Sequence, residues 1–461
     1  MDLLNLCKGI TCNSKEVREG FLFFAIKGSE RDGNEFIEEA LSRGALFAIT
    51  DSPIKHPKVI RVEDARKSYA LACNIFYGKP CERLKVVGVT GTNGKTTVTY
   101  IIESILRKAG YKTGVIGTIN YRIENKKISE GRTTPPPEVW FKTLSTMAEK
   151  KVDTAVAEVS SHALDQHRIR GTTFDAVIFT NLSQDHLDYH KDMENYFNAK
   201  ARLFREYSFK RAYINTDDPY GRMIYEELKK RGKKVISFGK EGSAKIEVVS
   251  SSFGGINIRI NYRNKNIFID SPLCGDFQAY NITAGVAYCI DRGVDPGIIT
   301  EALRKIKVPG RFETIDAKGR KIIIDYAHTP DALKNVLVAI SKIKDHGRII
   351  TVFGAGGNRD RSKRPLMGRI AEEFSNIIVL TSDNPRYEDP MRIIEDILSG
   401  IENKDKVFIK EDREEAIKLA FEISEPGDTI LIAGKGHEDY QEVRDRKIKF
   451  SDKEVVYKLL K

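Results

Sequence analysis

Residues 89–98 read V-T-G-T-N-G-K-T-T-V, a lysine and two hydroxyls set directly behind two glycines. Glycine backbone can approach an anion closely and aim its N–H groups at it. A lysine adds charge, and a threonine hydroxyl can reach Mg²⁺. The spacing departs from the common phosphate loop, G-x-x-x-x-G-K-[ST], because Val89 stands where the first glycine would fall. Context argues for a nucleotide site all the same. The apolar run K-V-V-G-V-T-G leads into the turn, and Val98, Ile101, Ile102, Ile105, Leu106 and Ala109 then recur at helical spacing. A second apolar run at 112–119 completes a βαβ unit. Gly91, Thr92, Asn93, Gly94, Lys95, Thr96 and Thr97 are therefore expected to cradle the phosphates of ATP, with Lys95 on the β and γ phosphates and Thr96 toward Mg²⁺. The missing glycine predicts a tighter cradle. A plain strand–turn–helix corner is the competing reading, but it leaves a lysine behind glycines with no packing role.

Other residues become candidates by position. Glu158 ends the apolar run 154–161, and His186 follows the run 175–182. Each alone is ordinary, but two such groups at neighbouring strand ends beside a phosphate loop suit a metal that bridges phosphates. Lys200 falls in a helical stretch, 193–204, where a lysine is normally solvated.

These residues need a scaffold, and the hydrophobic pattern supplies an α/β chain in three domains. Residues 1–82 read as a small α/β N-terminal domain, with strands at 21–26 and 45–50 around a helix at 35–44. Residues 83–307 read as a central phosphate-loop ATPase domain. Its buried apolar runs imply a parallel sheet, while 244–270 alternates as antiparallel strands about a Gly-Gly turn. Residues 308–461 alternate strand and helix as a Rossmann-like doubly wound domain, with helices starting at Pro330, Ser362, Pro390 and Arg413. Such sheets collect ligands at the carboxyl ends of their strands.

Composition narrows the partners. The chain has 461 residues, 41% hydrophobic and 31% charged, as in globular proteins. The net charge of +11 is scattered and not blocked with aromatics, which reads first as a solvated basic surface; a functional excess would suit acidic small molecules better than nucleic acid. The six cysteines form no C-x-x-C pair, which points to reduced thiols. The first twenty residues show no basic and apolar leader, and no apolar run reaches eighteen residues. A cytoplasmic monomer without membrane insertion is expected.

G-V-T-G-T-N-G-K-T-T resembles the nucleotide loop of the Mur ligases, the ATP-dependent amino-acid ligases that build the peptide of the cell-wall precursor and that are related to folylpolyglutamate synthetases. The resemblance continues, motif after motif, over nearly the whole chain. It implies that Thr96, Glu158 and His186 serve magnesium, and that Lys200 is carbamylated by CO₂ to an anionic metal-binding group, so Lys95, Lys200 and His186 form the catalytic set. Only a neutral amine attacks CO₂, so burial would favour that modification. In 275–287 Asn281 is implied on the adenine side, Arg311 in P-G-R-F-E on phosphate, and Asp325 and His328 in D-Y-A-H-T-P near ribose and adenine. ATP would thus sit between domains that close on it.

For the second substrate, UDP-N-acetylmuramoyl-L-alanyl-D-glutamate, the resemblance implies Ser14, within the polar stretch 11–33, at the uridine end. Thr133, Thr134, Ser160, Gln166 and Arg168 would hold the muramoyl dipeptide, the two threonines donating to its anionic groups. Asp383, Asn384, Pro385 and Arg386 form a D-N-P-R turn that in this family accompanies meso-diaminopimelate, with Arg359, Gly434 and Glu438 as further contacts. Diaminopimelate carries a distal carboxylate that lysine lacks, and an arginine fork suits it. Asn358 and Ala355 depart from the aspartate and cysteine common there. The implied reaction forms an acyl phosphate on the D-glutamate, which the incoming amine displaces. The alternatives are a lysine-adding ligase of the same group, a folylpolyglutamate synthetase, and a phosphate-loop protein that binds nucleic acid.

Overall fold

A computed structural model describes residues 2–28, 31–344 and 346–461. Among them are three main sheets, each built in its own part of the chain.

The first is a four-stranded parallel sheet in chain order: Gly9–Thr11, Phe21–Phe24, Ala45–Thr50 and Val59–Arg61. The two inner strands are the apolar runs of the sequence. The two outer ones have three residues each, too short to show a period. The expected helix at 35–44 is shorter, a 3₁₀ turn Gly33–Phe36 followed by Ile37–Ser42. Leu22, Phe24, Ile49 and Tyr69 share one core with Trp140 and Phe141 of the helix Pro137–Glu149 in the central unit. The Tyr69 hydroxyl donates to Glu138 Oε2 at 2.9 Å. The N-terminal unit is thereby anchored to the central one.

The central sheet has eleven strands. Its parallel part runs, in spatial order, Val235–Gly239, Ser208–Asn215, Thr173–Phe179, Lys85–Thr90, Thr154–Glu158 and Thr113–Ile116. Ala244–Ser252 joins Val235–Gly239 in parallel, and Gly255–Tyr262 and Lys265–Ser271 follow it as the expected antiparallel strands at one end. A hairpin, Asn120–Ile123 with Lys126–Glu130, extends it at the other. The sequence pattern missed that hairpin, and also Ser208–Asn215, whose first half is partly exposed and basic. The strand before the phosphate loop lies between Thr154–Glu158 and Thr173–Phe179. Glu158 and the segment after Phe179 therefore flank the loop. Behind it the helix Lys95–Lys108 buries Val98, Ile101, Ile102, Ile105 and Leu106.

The third sheet runs Glu313–Ala317, Arg320–Asp325, Thr429–Ala433, Ile349–Phe353, Ile377–Leu380 and Val407–Ile409. The first strand is antiparallel and the rest are parallel. Helices Pro330–Ile343, Lys363–Phe374 and Pro390–Leu398 cover one face, and Arg413–Glu422 and Asp452–Leu460 the other, which is double winding. The starts of these helices are legible because Thr329 and Asp389 cap amides behind Pro330 and Pro390. A separate hairpin, Tyr440–Val443 with Arg446–Lys449, follows the last parallel strand.

Candidate active site

Where the carboxyl ends of the central and third sheets face each other lies a cavity of about 520 Å³. The loop borders it through Thr92, Asn93, Gly94, Lys95, Thr96 and Thr97. The strand persists through Thr90 and the helix starts at Lys95, so the cradle is only Gly91 to Gly94. Val89 belongs to the strand, paired with Ile178 and Glu158, and is not a loop position. Gly91 and Gly94 have φ of 147° and 88°. A Cβ would strike the Thr180 hydroxyl at the first and the Asn281 side chain at the second, so both glycines are required.

Lys95 Nζ donates to the carbonyls of Gly91 and Thr92, both at 2.8 Å. Burial lowers its pKa, against the pull of Glu158 and Asp185. Lys200 is the surprise for a helical lysine: it is 1% exposed, and its Nζ donates to the same Gly91 carbonyl at 2.9 Å. Burial, reinforced by Lys95, pushes its pKa well below the usual lysine range. The Tyr196 ring lies 4.7 Å from the ammonium.

Glu158 is fully engaged. Oε1 accepts from Thr96 Oγ1 at 3.0 Å and from the Thr118 amide at 2.9 Å, and Oε2 accepts from the Thr118 hydroxyl at 2.9 Å. His186 stands in the left-handed region at φ 57°, its Nε2 3.2 Å from Asp185 Oδ2. Burial drives its pKa down in spite of Asp185. His162 crosses it edge to face at 4.7 Å, and burial lowers the His162 pKa to about 4.

The third unit closes over this wall. Arg311 Nη2 donates to Thr96 Oγ1 at 3.3 Å, Asn93 Nδ2 to Asp331 Oδ2 at 2.9 Å, and Lys363 Nζ lies 3.7 Å from Asp185 Oδ1. His328 lines the cavity with Nδ1 2.7 Å from the Tyr326 carbonyl, and burial takes its pKa to about 4. Asp325 also lines the cavity, but both its oxygens already accept backbone amides, from Phe312 at 2.6 Å and Ala327 at 2.7 Å. Its observed work is to brace the turn that carries Arg311. Asn281 lies against Gly94 and donates to Gln278 at 2.9 Å.

On the side of the first two sheets, Thr133, Thr134, Ser160 and Arg168 line the cavity. The Thr134 hydroxyl donates to the Glu158 carbonyl at 2.8 Å and accepts from the Ser160 amide at 2.9 Å. Here its single proton is directed at that carbonyl and not into the cavity. Thr133 Oγ1 lies 3.0 Å from Thr118 Oγ1. Gln166 is outside the wall. Its Oε1 accepts from Arg168 Nε and Nη2 at 3.0 and 2.7 Å, so it orients that guanidinium. Ser14 is also away from the cavity and donates to Glu39 at 3.1 Å. Ser29 and Glu30, in the stretch read as the uridine end, lie outside the described residues.

At the far end stand Arg359, Asp383, Asn384, Arg386, Gly434 and Glu438. Pro385 is buried behind them. One residue that the sequence pattern did not single out organises them. Lys435 is 0% exposed, and its Nζ donates to Asn384 Oδ1 and Glu438 Oε2, both at 3.0 Å, with Asp383 Oδ1 at 3.8 Å. Burial opposes ionisation of Asp383, but Lys435 and Arg413 outweigh it and hold its pKa below the ordinary value. A lysine between glycines after a buried strand, as in A-G-K-G, was the same signal that marked Lys95. Thr118, Asp185 and Lys363 had no such local signature.

A cavity at the carboxyl ends of two sheets, with a phosphate loop on one wall and an acid- and base-lined turn on the other, defines an α/β ligase site. The chain belongs to the Mur ligase family: models of its catalytic, middle and glutamate ligase domains match residues 7–74, 89–289 and 310–436. It is 52% identical to the UDP-N-acetylmuramoyl-L-alanyl-D-glutamate–2,6-diaminopimelate ligase of Aquifex aeolicus, over 99% of this chain and 94% of that one. The protein of the same name from Geobacter metallireducens is 42% identical over 97% and 93%. A solved structure with that name superposes with a TM-score of 0.71 at 32% identity, covering 98% of this chain and 94% of the other. A folylpolyglutamate synthase of Mycobacterium tuberculosis shares the fold at 19% identity, with a TM-score of 0.66 over 80% of this chain and 92% of that one.

Glu388 ties the two loops of the far wall together. It accepts from Arg364 Nη1 and Nη2 at 3.0 and 2.9 Å, from Arg361 at 2.8 Å, and from the Asn358 amide. The hydrogen bonds from Arg364 hold its pKa at about 2, below the ordinary 4.5. A depressed carboxylate stabilises above its unfolded pKa and stops doing so as pH falls through the folded one. Glu388→Gln should therefore lower the urea midpoint at pH 7, and the gap to the parent should narrow between about pH 4.5 and pH 2. A gap that stays constant with pH would show that the charge is not what stabilises.

Proposed function

We propose that this chain is an ATP-dependent ligase of peptidoglycan biosynthesis that joins meso-diaminopimelate to the D-glutamate of UDP-N-acetylmuramoyl-L-alanyl-D-glutamate. The observation that carries this reading is the 52% identity along 99% of the chain to a ligase so named. The D-N-P-R turn supports it, because Arg386 stands at the cavity end opposite the phosphate loop. Residues 1–82 would bind the uridine nucleotide, 83–307 ATP, and 308–461 the amino acid. The protein would work as a cytoplasmic monomer on small molecules, and among the described residues no helix is long and apolar enough to cross a membrane.

The chemistry proceeds in two steps. The D-glutamate γ-carboxylate attacks the γ-phosphate of ATP, the β,γ-bridging P–O bond breaks, and ADP leaves as the acyl phosphate forms. The amine then adds to the acyl carbon, and phosphate leaves as the amide forms. Lys95 and Arg311 would neutralise phosphate charge, and Arg168 would orient the carboxylate substrate. Thr96, Glu158 and His186 would hold Mg²⁺, with Lys200 as a carbamate. The donor set fits: Thr96 Oγ1 and Glu158 Oε1 are adjacent oxygens, 3.0 Å apart at the mouth of the loop. Such a partial set suits Mg²⁺, which takes one or two carboxylates plus substrate phosphates and water. When bound, the ion would draw charge off the transferring phosphoryl group. Burial pushes the Lys200 pKa well below the usual lysine range and so favours the neutral amine, the form that adds to CO₂ and loses a proton to give the carbamate.

A panel of amino acids offered with ATP and UDP-muramoyl dipeptide tests the reading. Phosphate release should depend on meso-diaminopimelate, and release driven equally by L-lysine would transfer the chain to the lysine-adding group. Arg386→Ala should cut kcat/KM for diaminopimelate by roughly 100-fold, in line with the ~2–5 kcal/mol cost of losing one partner of a desolvated charge pair, while KM for ATP holds. Unchanged diaminopimelate kinetics would defeat that assignment. Lys200→Ala should be inactive and regain turnover with added short carboxylates, and a fully active variant would dismiss the carbamate.

A further inference from the structure

Arg386 does not reach the cavity unaided. It sits in the left-handed region, at φ 52°. Its amide donates to the Glu442 carbonyl at 3.0 Å, and its carbonyl accepts from the Arg444 amide at 2.8 Å, a parallel bridge to the hairpin strand Tyr440–Val443. The side chain is held as firmly: Nε donates to Glu442 Oε2 at 2.9 Å and Nη1 to the Gly357 carbonyl at 2.8 Å. The same hairpin grips the rest of the turn. Gln441 Nε2 donates to the Asp383 carbonyl and the Glu442 amide to Asn384 Oδ1, at 3.0 and 2.9 Å.

We propose that Glu442 is a positioning residue for amino-acid selection, and that the hairpin it belongs to is the template that aims Arg386 at the distal carboxylate. The inference rests on the diaminopimelate reading above. Of the five guanidinium N–H groups, Glu442 and Gly357 take one each. Nη2 has no partner among the described residues, and its two protons, together with the second proton of Nη1, are what the fork can offer a ligand. A free arginine would sample many rotamers and meet a carboxylate from several directions. Anchoring Nε and Nη1 fixes the plane of the fork in advance, so less ordering remains to be done on binding. Lysine has no carboxylate at that end and gains nothing from the anchoring, so the effect of Glu442 must be specific to the amino acid.

The experiment compares Glu442→Ala and Glu442→Gln with the parent, using kcat/KM for meso-diaminopimelate and for L-lysine and KM for ATP. The alanine variant should lose about 10- to 100-fold in kcat/KM for diaminopimelate, mostly through KM, with lysine use and KM for ATP unchanged. The glutamine variant keeps an oxygen for Nε, so it should recover most of the loss. Equal losses for both amino acids would mark the hairpin as merely structural and overturn the proposal. So would unchanged or improved use of diaminopimelate, the latter showing that Glu442 competes with the ligand for the fork. If the parent itself fails to use diaminopimelate, the functional reading falls first and the role of Glu442 falls with it.

Discussion

The Gly91 carbonyl accepts hydrogen bonds from two buried lysine Nζ groups, Lys95 at 2.8 Å and Lys200 at 2.9 Å, and much of the site follows from that convergence. Two like charges cannot share a desolvated oxygen without strong pressure on one to give up its proton. Burial already depresses both, and Lys200 feels Lys95 as well. The wall therefore needs anions nearby. Glu158 and Asp185 supply them from the ends of the strands flanking the loop, which is where strand order puts them.

Closure by the third unit adds more positive charge to this already crowded place. Arg311 reaches Thr96 and Lys363 reaches Asp185. A site that brings Lys95, Arg311 and Lys363 around one loop suits a polyphosphate, and Asp185 tempers the excess, its carboxyl held well below the usual range against burial by His186 and Lys363. Asp325 bears on the same problem from a distance. Its buried carboxylate accepts the Phe312 and Ala327 amides and fixes the backbone that presents Arg311.

The opposite end solves a different problem with a different balance. There Lys435 draws together Asn384, Glu438 and Asp383, and Glu442 draws Arg386, so acid and base are nearly matched. An incoming amino acid carries both signs, and a paired, rigid set of side chains can distinguish where those signs lie. Gly434, at φ 114°, lets this packing exist, since a Cβ would strike Asp383.

How much of this was legible locally is plain from particular residues. The loop glycines, the apolar strands beside them and the prolines that open helices each answer to a backbone or periodicity demand that neighbours in sequence impose. The D-N-P-R turn and Arg386 were readable through the family resemblance, helped by their place between a buried strand and a helix. The charged hairpin Asn120–Ile123 with Lys126–Glu130 was not, because its stability comes from the sheet it extends. Nor was the committed proton of Thr134, or the burial of Lys200, whose helix shows nothing unusual until the loop packs over it. Sequence alone determined which groups stand at strand ends and turns, since φ, ψ and hydrophobic period are local. Only the tertiary structure decided which of them meet, as Asn93 meets Asp331 across 238 positions and Arg386 meets Glu442 across 56, because strand order and domain closure are set by the packing of whole sheets.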